Sequence, residues 1–374
     1  MREGYIPLIT NGVGGAERRF ADIANAMIIE GYPIKIVAPA RVSTELIAGS
    51  SLKAESVISL GDPEDSFARY LKTYYKWVRH LSSPELAFHY PLNPPPFIHF
   101  RKSHWVTASI TDSTPPTGRF NPCKASLRNP TILSRAKRVD VLNPSVAKKL
   151  AEMYPWSESK LTITPNGTFV DPKNYRSADK RASVLLLSRM VPKVKGIEEF
   201  LDLIPQILQT INKDQQFTFC IEIAGSGSLE NYVRGRVATL QAEGLSVEYL
   251  GFQDSATLLS GTAIVLSLQE SNNYPSRVVA EALLSGCEVI IRDTGESRSF
   301  GNLRGITYIS ANLDPGQIAA AIADAYQALT KSPGGEPSFI RKSAKKAFSN
   351  SQVAHYMADI MNITTEEVDT YPVL

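Results

Sequence analysis

Two cations and a glycine follow one strand-like run in an arrangement that suits an anion. In SRMVPKVKG, Arg189 and Lys195 stand just past the predicted strand at 183 to 188, and Gly196 opens a predicted helix. Two positive charges and the free backbone N–H groups of a helix start would converge on one point. This pattern predicts a diphosphate site that can neutralise a leaving group without a metal. Lys193 competes with Lys195 for the second position, and solvated loop cations are the alternative interpretation.

The segment from 262 to 297 predicts a second set of binding residues, again just past the end of a strand. It reads as an apolar strand, a polar loop ending in Pro275 and Ser276, a helix that carries Glu281, and another apolar strand. In a parallel α/β sheet, such a loop and helix start lie at the carboxyl ends of strands, where nucleotides and phosphates bind. Apolar residues surround Glu281 in the sequence, and burying an unpaired carboxylate among them is costly. We therefore favour a functional role for Glu281 over that of an ordinary solvated helix glutamate.

The elements that would position these groups alternate between strand and helix patterns throughout the chain. In the first half, strands are predicted at 5 to 10, 34 to 38, 56 to 60, 97 to 100, 105 to 110, 139 to 142 and 161 to 164. In the second half, they are predicted near 183 to 188, 217 to 224, 246 to 250, 263 to 268, 288 to 292 and 306 to 309. Both halves therefore have the pattern of a doubly wound α/β domain.

Breaks in this pattern suggest the domain boundaries. Pro165 and the following Asn-Gly pair interrupt regular structure where one series ends, and KSPGGEPS forms a second break. We predict domains at 1–165 and 166–348. A helix within 349–374 closes the second domain or crosses back to the first.

Composition narrows the classes of function. A chain of 374 residues suits two α/β domains, and a net charge of +3 gives no electrostatic reason to expect nucleic acid. No apolar run reaches the roughly 18 residues of a membrane span, and no signal peptide is recognisable, so we expect a cytoplasmic location. The three cysteines are far apart and indicate neither a disulfide framework nor a zinc site.

The ordered motifs resemble those of glycosyltransferase family four. Between residues 14 and 296 they are GGAER, PNG at mid-chain, SRMVPKVKG, AGSGSL, YLGF and a glutamate-containing helix followed by SGCEVI. The resemblance implies the GT-B fold, with two facing Rossmann-like domains and a cleft between them. It also implies a retaining, metal-independent hexosyltransferase without a cofactor, which moves a sugar from a nucleotide-diphosphate sugar to a glycan or glycolipid hydroxyl in cell-surface polysaccharide synthesis. The absence of Asp-x-Asp disfavours the manganese-dependent glycosyltransferase fold.

The resemblance also implies roles for individual residues. Arg189 and Lys195 would steady the diphosphate during catalysis, and Glu281 would accept hydrogen bonds from the ribose. The glycine loop at Gly14 and Gly15 would approach the donor phosphates. The full implied donor-binding set is Gly14, Gly15, Arg189, Lys195, Gly225, Asn273, Tyr274, Pro275, Ser276 and Glu281.

The first acid of the family's E-x7-E pattern has two candidates. Counting back from Glu281 reaches Asn273, whereas the nearest acid is Glu270, eleven residues back. Either the loop carries an insertion and Glu270 contacts the donor sugar, or Asn273 does so with neighbouring backbone groups. Asp112, where relatives carry a His-Asp pair, either orients an acceptor hydroxyl in catalysis or caps a turn, and the cap is favoured.

The segment 67–81 has an amphipathic pattern with aromatic and basic residues. Such a helix can lie on an anionic membrane surface, which would place the enzyme peripherally on the inner membrane face. A packed surface helix has the same pattern, and we favour packing.

Two other classes of function fit the same residues. A nucleotide-sugar epimerase of this fold would use the donor pocket without an acceptor. A non-catalytic sugar-nucleotide-binding homologue is suggested by the altered acidic pair.

Overall fold

A computed structural model describes residues 2–10, 12–13, 15–49, 52–81, 83, 85–91, 104–110, 122–164, 176, 180–214, 219–331 and 335–364. Gly14, Asp112 and the predicted strand at 97 to 100 lie outside these residues. The chain divides into two compact units. Unit 1 is Met1–Phe169 together with Asn350–Leu374, and unit 2 is Val170–Ser349.

Unit 1 is built on a parallel sheet of seven strands in the order β3-β2-β1-β4-β5-β6-β7. Its strands are β1 (Glu3–Pro7), β2 (Ile34–Pro39), β3 (Val57–Leu60), β4 (Leu86–Tyr90), β5 (Trp105–Ile110), β6 (Arg138–Val141) and β7 (Leu161–Ile163). Its helices are α1 (Gly15–Ile29), α2 (Ala40–Gly49), α3 (Phe67–His80), α4 (Pro122–Arg135), α5 (Pro144–Met153) and, from the end of the chain, α12 (Asn350–Met361). The strand order reverses between β1 and β4, as in doubly wound folds.

Unit 2 is built on a parallel sheet of six strands in the order β10-β9-β8-β11-β12-β13. Its strands are β8 (Arg181–Leu187), β9 (Cys220–Ala224), β10 (Val247–Gly251), β11 (Thr262–Ser267), β12 (Glu288–Arg292) and β13 (Ile306–Ile309). Its helices are α6 (Ile197–Asp214), α7 (Glu230–Ala242), α8 (Ser255–Gly261), α9 (Arg277–Leu284), α10 (Pro315–Lys331) and α11 (Gly335–Ala347). The two Rossmann-like units confirm the predicted α/β class.

Helical periodicity explains how the long helices attach to these sheets. The predicted apolar face of α6, from Ile197 to Ile211, is buried against the sheet of unit 2. In α1, Phe20, Ile23 and Met27 are likewise buried. Both faces follow the spacing of residues that share one side of a helix.

Strand β4 was missed by the sequence prediction. Its residues LAFHY are all buried, yet the run contains His89 and is followed directly by proline. A histidine interrupts the apolar pattern that predicts a buried strand. Its ring nitrogens can be buried here because hydroxyl groups of a neighbouring strand lie within hydrogen-bond distance of them. The Thr107 and Ser109 hydroxyls of β5 each lie 2.9 Å from a ring nitrogen of His89.

Helix α12 packs on unit 1 through polar contacts as well as apolar ones. The Trp105 indole N–H donates to the Ile360 carbonyl oxygen at 2.8 Å, and Arg138 pairs with Asp359 at 2.6 Å. The Tyr356 hydroxyl donates to the Asp140 carboxylate at 2.8 Å. The end of the chain thereby completes the layer that covers the first sheet.

Helix α3 has its apolar face buried in unit 1. Tyr70, Tyr74 and Val78 are buried, and Trp77 packs edge-on against Tyr5 with ring centroids 5.3 Å apart. Its basic residues lie on the exposed side. This arrangement favours the interpretation of 67–81 as a packed surface helix, because its apolar face is not available to a bilayer. Across the described residues, no helix combines the length and apolar character that a membrane crossing requires.

A buried polar network links the middle of the first sheet to α12. The Ser109 hydroxyl donates to the Asp140 carboxylate at 2.8 Å, and the Thr164 hydroxyl also donates to it. Burial lowers the pKa of His89 to about 4; the Arg19 charge acts in the same direction, and Asp140 opposes it. The folded protein therefore keeps this imidazole neutral at pH values where an exposed histidine is protonated.

Acidification should therefore destabilise unit 1 through His89. Between pH 6.5 and about 4 the unfolded chain binds a proton at this position that the folded chain does not, so stability falls as the pH decreases. The full shift corresponds to about 3 kcal/mol. Denaturant unfolding at pH 7, 6, 5 and 4 should give a steeper loss for the wild-type protein than for His89→Gln, whose side chain does not titrate. Equal pH slopes in the two proteins would contradict this assignment.

Candidate functional site

Three loops meet where β8, β9 and β11 of unit 2 end. The N–H of Ser188 donates to the Ala224 carbonyl at 3.0 Å, and the N–H of Met190 donates to the Ser226 carbonyl at 2.9 Å. On the other side, the N–H of Glu270 donates to the Val194 carbonyl at 3.1 Å. The loop 188–196 is thus held by backbone bonds to both neighbouring loops.

Glycines permit this close approach. Gly196 has φ +67°, and a Cβ atom there would lie 2.3 Å from the carbonyl oxygen of Leu268. Gly225 has φ +137°, and its Cβ would lie 1.9 Å from the carbonyl oxygen of Ser188. Any other residue at these positions would force the loops apart, because both the backbone angle and the space exclude a side chain.

The cations predicted from SRMVPKVKG lie on this loop close to one another. The Lys195 ammonium is partly buried and donates to the Gln269 side-chain oxygen at 2.6 Å. Burial, and then the nearby Arg189 charge, lower the pKa of Lys195. Neither cation forms an ion pair with a carboxylate within the part of the chain that the structure describes. The site therefore carries positive charge that nothing in these residues neutralises.

Lys193 differs from Lys195 in its surroundings. It is exposed and has a left-handed backbone, with φ +51°. Its N–H donates to the Glu198 carboxylate at 2.9 Å. Between the two candidates for the second cation, the geometry favours Lys195, which lies beside Arg189 at the sheet edge.

Glu281 is buried in α9 and is paired within the same helix. Its carboxylate accepts from the Arg277 Nε–H at 2.6 Å, and the Glu281 side chain is only 6 % exposed against 43 % for Arg277. This ion pair offsets the cost of burying the carboxylate. Arg277 was missed in the sequence analysis, although the i,i+4 spacing of the two residues was a usable signal.

The start of α9 is the positive end of the helix dipole. Ser276 is the N-cap, and its side chain makes no capping hydrogen bond. Tyr274 is buried and packs edge-on against Phe300, with ring centroids 4.9 Å apart, so its ring belongs to the core. Within the segment 274–276, Ser276 is thus the residue suited to an anion, because the Tyr274 N–H donates to the Asn272 side chain and Pro275 has no N–H.

Asn273 has its side chain fully engaged in the protein. It is completely buried; its amide donates to the carbonyl oxygens of Ser267 at 3.0 Å and Arg292 at 2.8 Å. Its side-chain oxygen accepts from the Ser267 hydroxyl at 2.7 Å. These bonds give Asn273 a structural role, because both amide hydrogens are already used.

Glu270 is exposed at the tip of the same loop. The loop after it is braced by Asn272, whose side-chain oxygen accepts from the N–H groups of Tyr274 at 2.9 Å and Glu296 at 3.0 Å. The extra residues that separate Glu270 from Glu281 thus form an ordered turn. Of the two candidates for the missing acid, Glu270 is the one whose carboxylate is accessible.

Phe252 is a further candidate that the sequence analysis quoted in YLGF without giving it a role. It follows the last residue of β10 and is 79 % exposed. The N–H of Gly225 donates to the Gly251 carbonyl at 2.8 Å, which places Phe252 beside the glycine loop. An exposed aromatic ring at a strand's carboxyl end offers a stacking surface for a base.

Of the site residues predicted in the first half of the chain, the structure describes only Gly15. Gly15 is the first residue of α1, whereas Gly14 and Asp112 lie outside the described residues. The structural description of the candidate site therefore comes from unit 2.

Replacing Asn273 by alanine should destabilise unit 2. The change leaves the Ser267 hydroxyl and buried carbonyl groups without their partner, which costs about 1 to 3 kcal/mol. Glu270→Ala, at an exposed position, should change stability by less than about 0.5 kcal/mol. Thermal and denaturant unfolding of both variants measures the difference, and an Asn273→Ala protein as stable as the wild type would show that these hydrogen bonds contribute nothing.

Comparison with known proteins gives a family match for part of the chain and a fold for the whole. Residues 181–328 match the family model described as Glycosyl transferases group 1. Unit 2 therefore contains a glycosyltransferase domain, and the site residues described in that unit all lie within residues 181–328. No curated protein sequence matches the chain at a significant level.

Solved structures resemble the whole chain at low sequence identity. HepE from Anabaena, crystallised with UDP and glucose, is 16 % identical with a TM-score of 0.70; the match covers 97 % of this chain and 100 % of HepE. The pneumococcal O-GlcNAc transferase GtfA, with UDP and GlcNAc, is 11 % identical with a TM-score of 0.69, and coverage is 96 % and 99 %. Sucrose-phosphate synthase from Thermosynechococcus elongatus is 14 % identical with a TM-score of 0.66, and coverage is 96 % and 98 %. The fold is GT-B, as predicted.

Proposed function

We propose that this protein is a retaining hexosyltransferase that moves a sugar from a UDP-sugar to a hydroxyl of a glycan or glycolipid. The observation that carries the proposal is the pair Arg189 and Lys195. Both lie at the carboxyl edge of the unit 2 sheet, within a glycosyltransferase domain, without a described carboxylate partner. Adjacent uncompensated cations beside a helix start form a site for a diphosphate.

The choice of UDP is supported by the neighbours of the fold. HepE was crystallised with UDP and glucose, and GtfA with UDP and GlcNAc. In this chain, Phe252 offers an exposed ring for stacking a base, and Glu281 offers a carboxylate for the ribose hydroxyls. The base, ribose and diphosphate would then each be bound along one edge of the sheet.

Catalysis would depend on stabilising the leaving diphosphate. As the bond between the sugar and the diphosphate breaks, negative charge grows on the phosphate oxygens, where Arg189, Lys195 and the N–H groups at the start of α9 can stabilise it. The same oxygens would take the proton of the acceptor hydroxyl on that face of the sugar, which retains the configuration. Glu270 would contact the donor sugar. We propose that no metal is needed, because the two cations supply the positive charge and the sequence contains no Asp-x-Asp.

The activity is tested by supplying UDP-glucose, UDP-galactose and UDP-GlcNAc and measuring UDP release with and without saccharide acceptors. Acceptor-dependent release supports transfer. Free epimerised UDP-sugar without an acceptor would instead identify an epimerase. Binding without any turnover would identify a non-catalytic binding protein.

Removing either cation should weaken UDP binding. Arg189→Ala and Lys195→Ala should each raise the Kd for UDP at least about tenfold, because a charge-assisted hydrogen bond contributes about 1.5 to 3 kcal/mol. Lys193→Ala is the matched control on the same loop and should change the Kd by less than about threefold. Calorimetric titration with UDP measures all three. A sensitive Lys193 and an insensitive Lys195 would reverse the assignment.

Glu281 and Arg277 should differ in what they contribute to binding. Glu281→Gln keeps the shape and one acceptor oxygen, and should weaken UDP binding by about 1 to 2 kcal/mol if the carboxylate contacts the ribose. Comparing UDP with 2′-deoxy-UDP isolates this contact, since the variant should distinguish the two nucleotides less well than the wild type does. Arg277→Ala should retain the discrimination, because it leaves the carboxylate in place. A Glu281→Gln protein that distinguishes the nucleotides as well as the wild type would remove the ribose assignment.

A further inference from the structure

The carboxyl edge of the unit 1 sheet carries a pocket that the proposed donor chemistry does not use. Its volume is about 590 Å³, and it lies where β1, β2 and β3 end. The walls come from the loop after β1, the start of α2, the loop 62–65 and the first turn of α3. Ligand pockets in proteins range from roughly 300 to 1,000 Å³, so the space suits one or two sugar rings.

The lining combines the groups that a saccharide requires. Thr10 contributes a hydroxyl and Arg41 a guanidinium, while Asp62 and Glu64 contribute carboxylates. Phe67, 37 % exposed, contributes an apolar ring. Hydroxyl groups of a sugar can donate to the carboxylates and accept from the guanidinium, and the C–H face of the sugar can pack on the ring.

The walls of the pocket are held by the protein's own hydrogen bonds. The Asp65 carboxylate accepts from the Asp62 N–H at 3.0 Å and pairs with Arg69 at 2.9 Å. The Tyr70 hydroxyl donates to the Leu8 carbonyl at 3.2 Å and ties α3 to the end of β1. The pocket is therefore preformed, and Asp65 serves the loop rather than a ligand.

The charge of the pocket selects among saccharides. Asp62 and Glu64 are exposed and form no ion pair with any residue in the described part of the chain, whereas Arg41 is already paired with Glu45 at 3.4 Å. The two carboxylates would repel a phosphate or uronate group and would attract an ammonium group. The negative charge and the sugar-like lining together favour an amino sugar.

We propose that this pocket binds a saccharide with a free amino group, and that this sugar is part of the acceptor. The proposal that an amino sugar binds here rests on the lining of the pocket alone. Its role as acceptor rests on the proposed transferase activity. The pocket thus gives a chemical class to the acceptor, which the motifs of unit 2 do not specify.

Binding is tested by NMR titration at pH 6 with methyl glucosaminide, methyl glucoside and methyl glucuronide. The glucosaminide should bind best to the wild-type protein and the glucuronide worst. Asp62→Asn/Glu64→Gln should raise the Kd for the glucosaminide about fivefold, since two exposed charges each contribute modestly. Glu152→Gln/Glu158→Gln, which removes the same charge at exposed positions elsewhere in unit 1, is the control and should leave the Kd unchanged.

Reversing the charge of both carboxylates should produce a change of preference that a misfolded protein would not show. Asp62→Lys/Glu64→Lys should bind the glucuronide better than the glucosaminide. Unchanged glucosaminide binding in either double variant, or equal binding of the three sugars by the wild type, would overturn the pocket assignment.

The acceptor role has its own measurement. Methyl glucosaminide should raise UDP release above hydrolysis in the wild type but much less in Asp62→Asn/Glu64→Gln, while UDP affinity stays equal in both. If the protein binds the glucosaminide but not UDP, the pocket assignment holds and the transferase proposal is wrong. If it transfers sugar to other acceptors but never binds the glucosaminide, the transferase proposal holds and the pocket assignment is wrong.

Discussion

The contact between the loop 188–196 and its two neighbours is the constraint on which the rest of unit 2 depends. Gly196 and Gly225 allow backbone atoms to meet at distances that no side chain would tolerate. Once the three loops are joined, the positions of Arg189 and Lys195 follow from the backbone alone. The backbone thereby places the two cationic residues on one loop, as the proposed diphosphate site requires.

The buried acid of this site has a charged partner, whereas the cation Lys195 has a neutral one. The buried carboxylate of Glu281 receives a partner, Arg277, one turn away in the same helix. Among the described residues, the partner of the Lys195 ammonium is the neutral oxygen of Gln269. A neutral acceptor orients the ammonium without cancelling its charge, and partial burial makes an anion a more favourable partner than water. The loop thereby keeps the positive charge of Lys195 where the proposed diphosphate site requires it.

A buried network of polar residues in unit 1 serves the structure of the unit itself. The network from His89 through Ser109 to Asp140 continues to Tyr356, so a helix from the end of the chain becomes part of the first unit. In contrast, the carboxylates of Asp62 and Glu64 take no part in such a network within the described part of the chain. Polar groups that the fold leaves unused at the carboxyl ends of strands are the ones available to a ligand. This contrast distinguishes the pocket from the buried network of the same unit.

The sequence by itself determined the alternation of strands and helices, the apolar faces of α1 and α6, and the loop that carries Arg189 and Lys195. These are local properties, because periodicity and glycine positions act over a few residues. It did not identify β4, since the polarity of His89 is satisfied by hydroxyls of another strand. Nor did it separate Asn273 from Glu270: only the tertiary structure shows that Asn273 bonds to carbonyls of two strands while Glu270 is exposed. Residue types restrict what each group can do, but whether a polar group is occupied or free depends on neighbours distant in the chain.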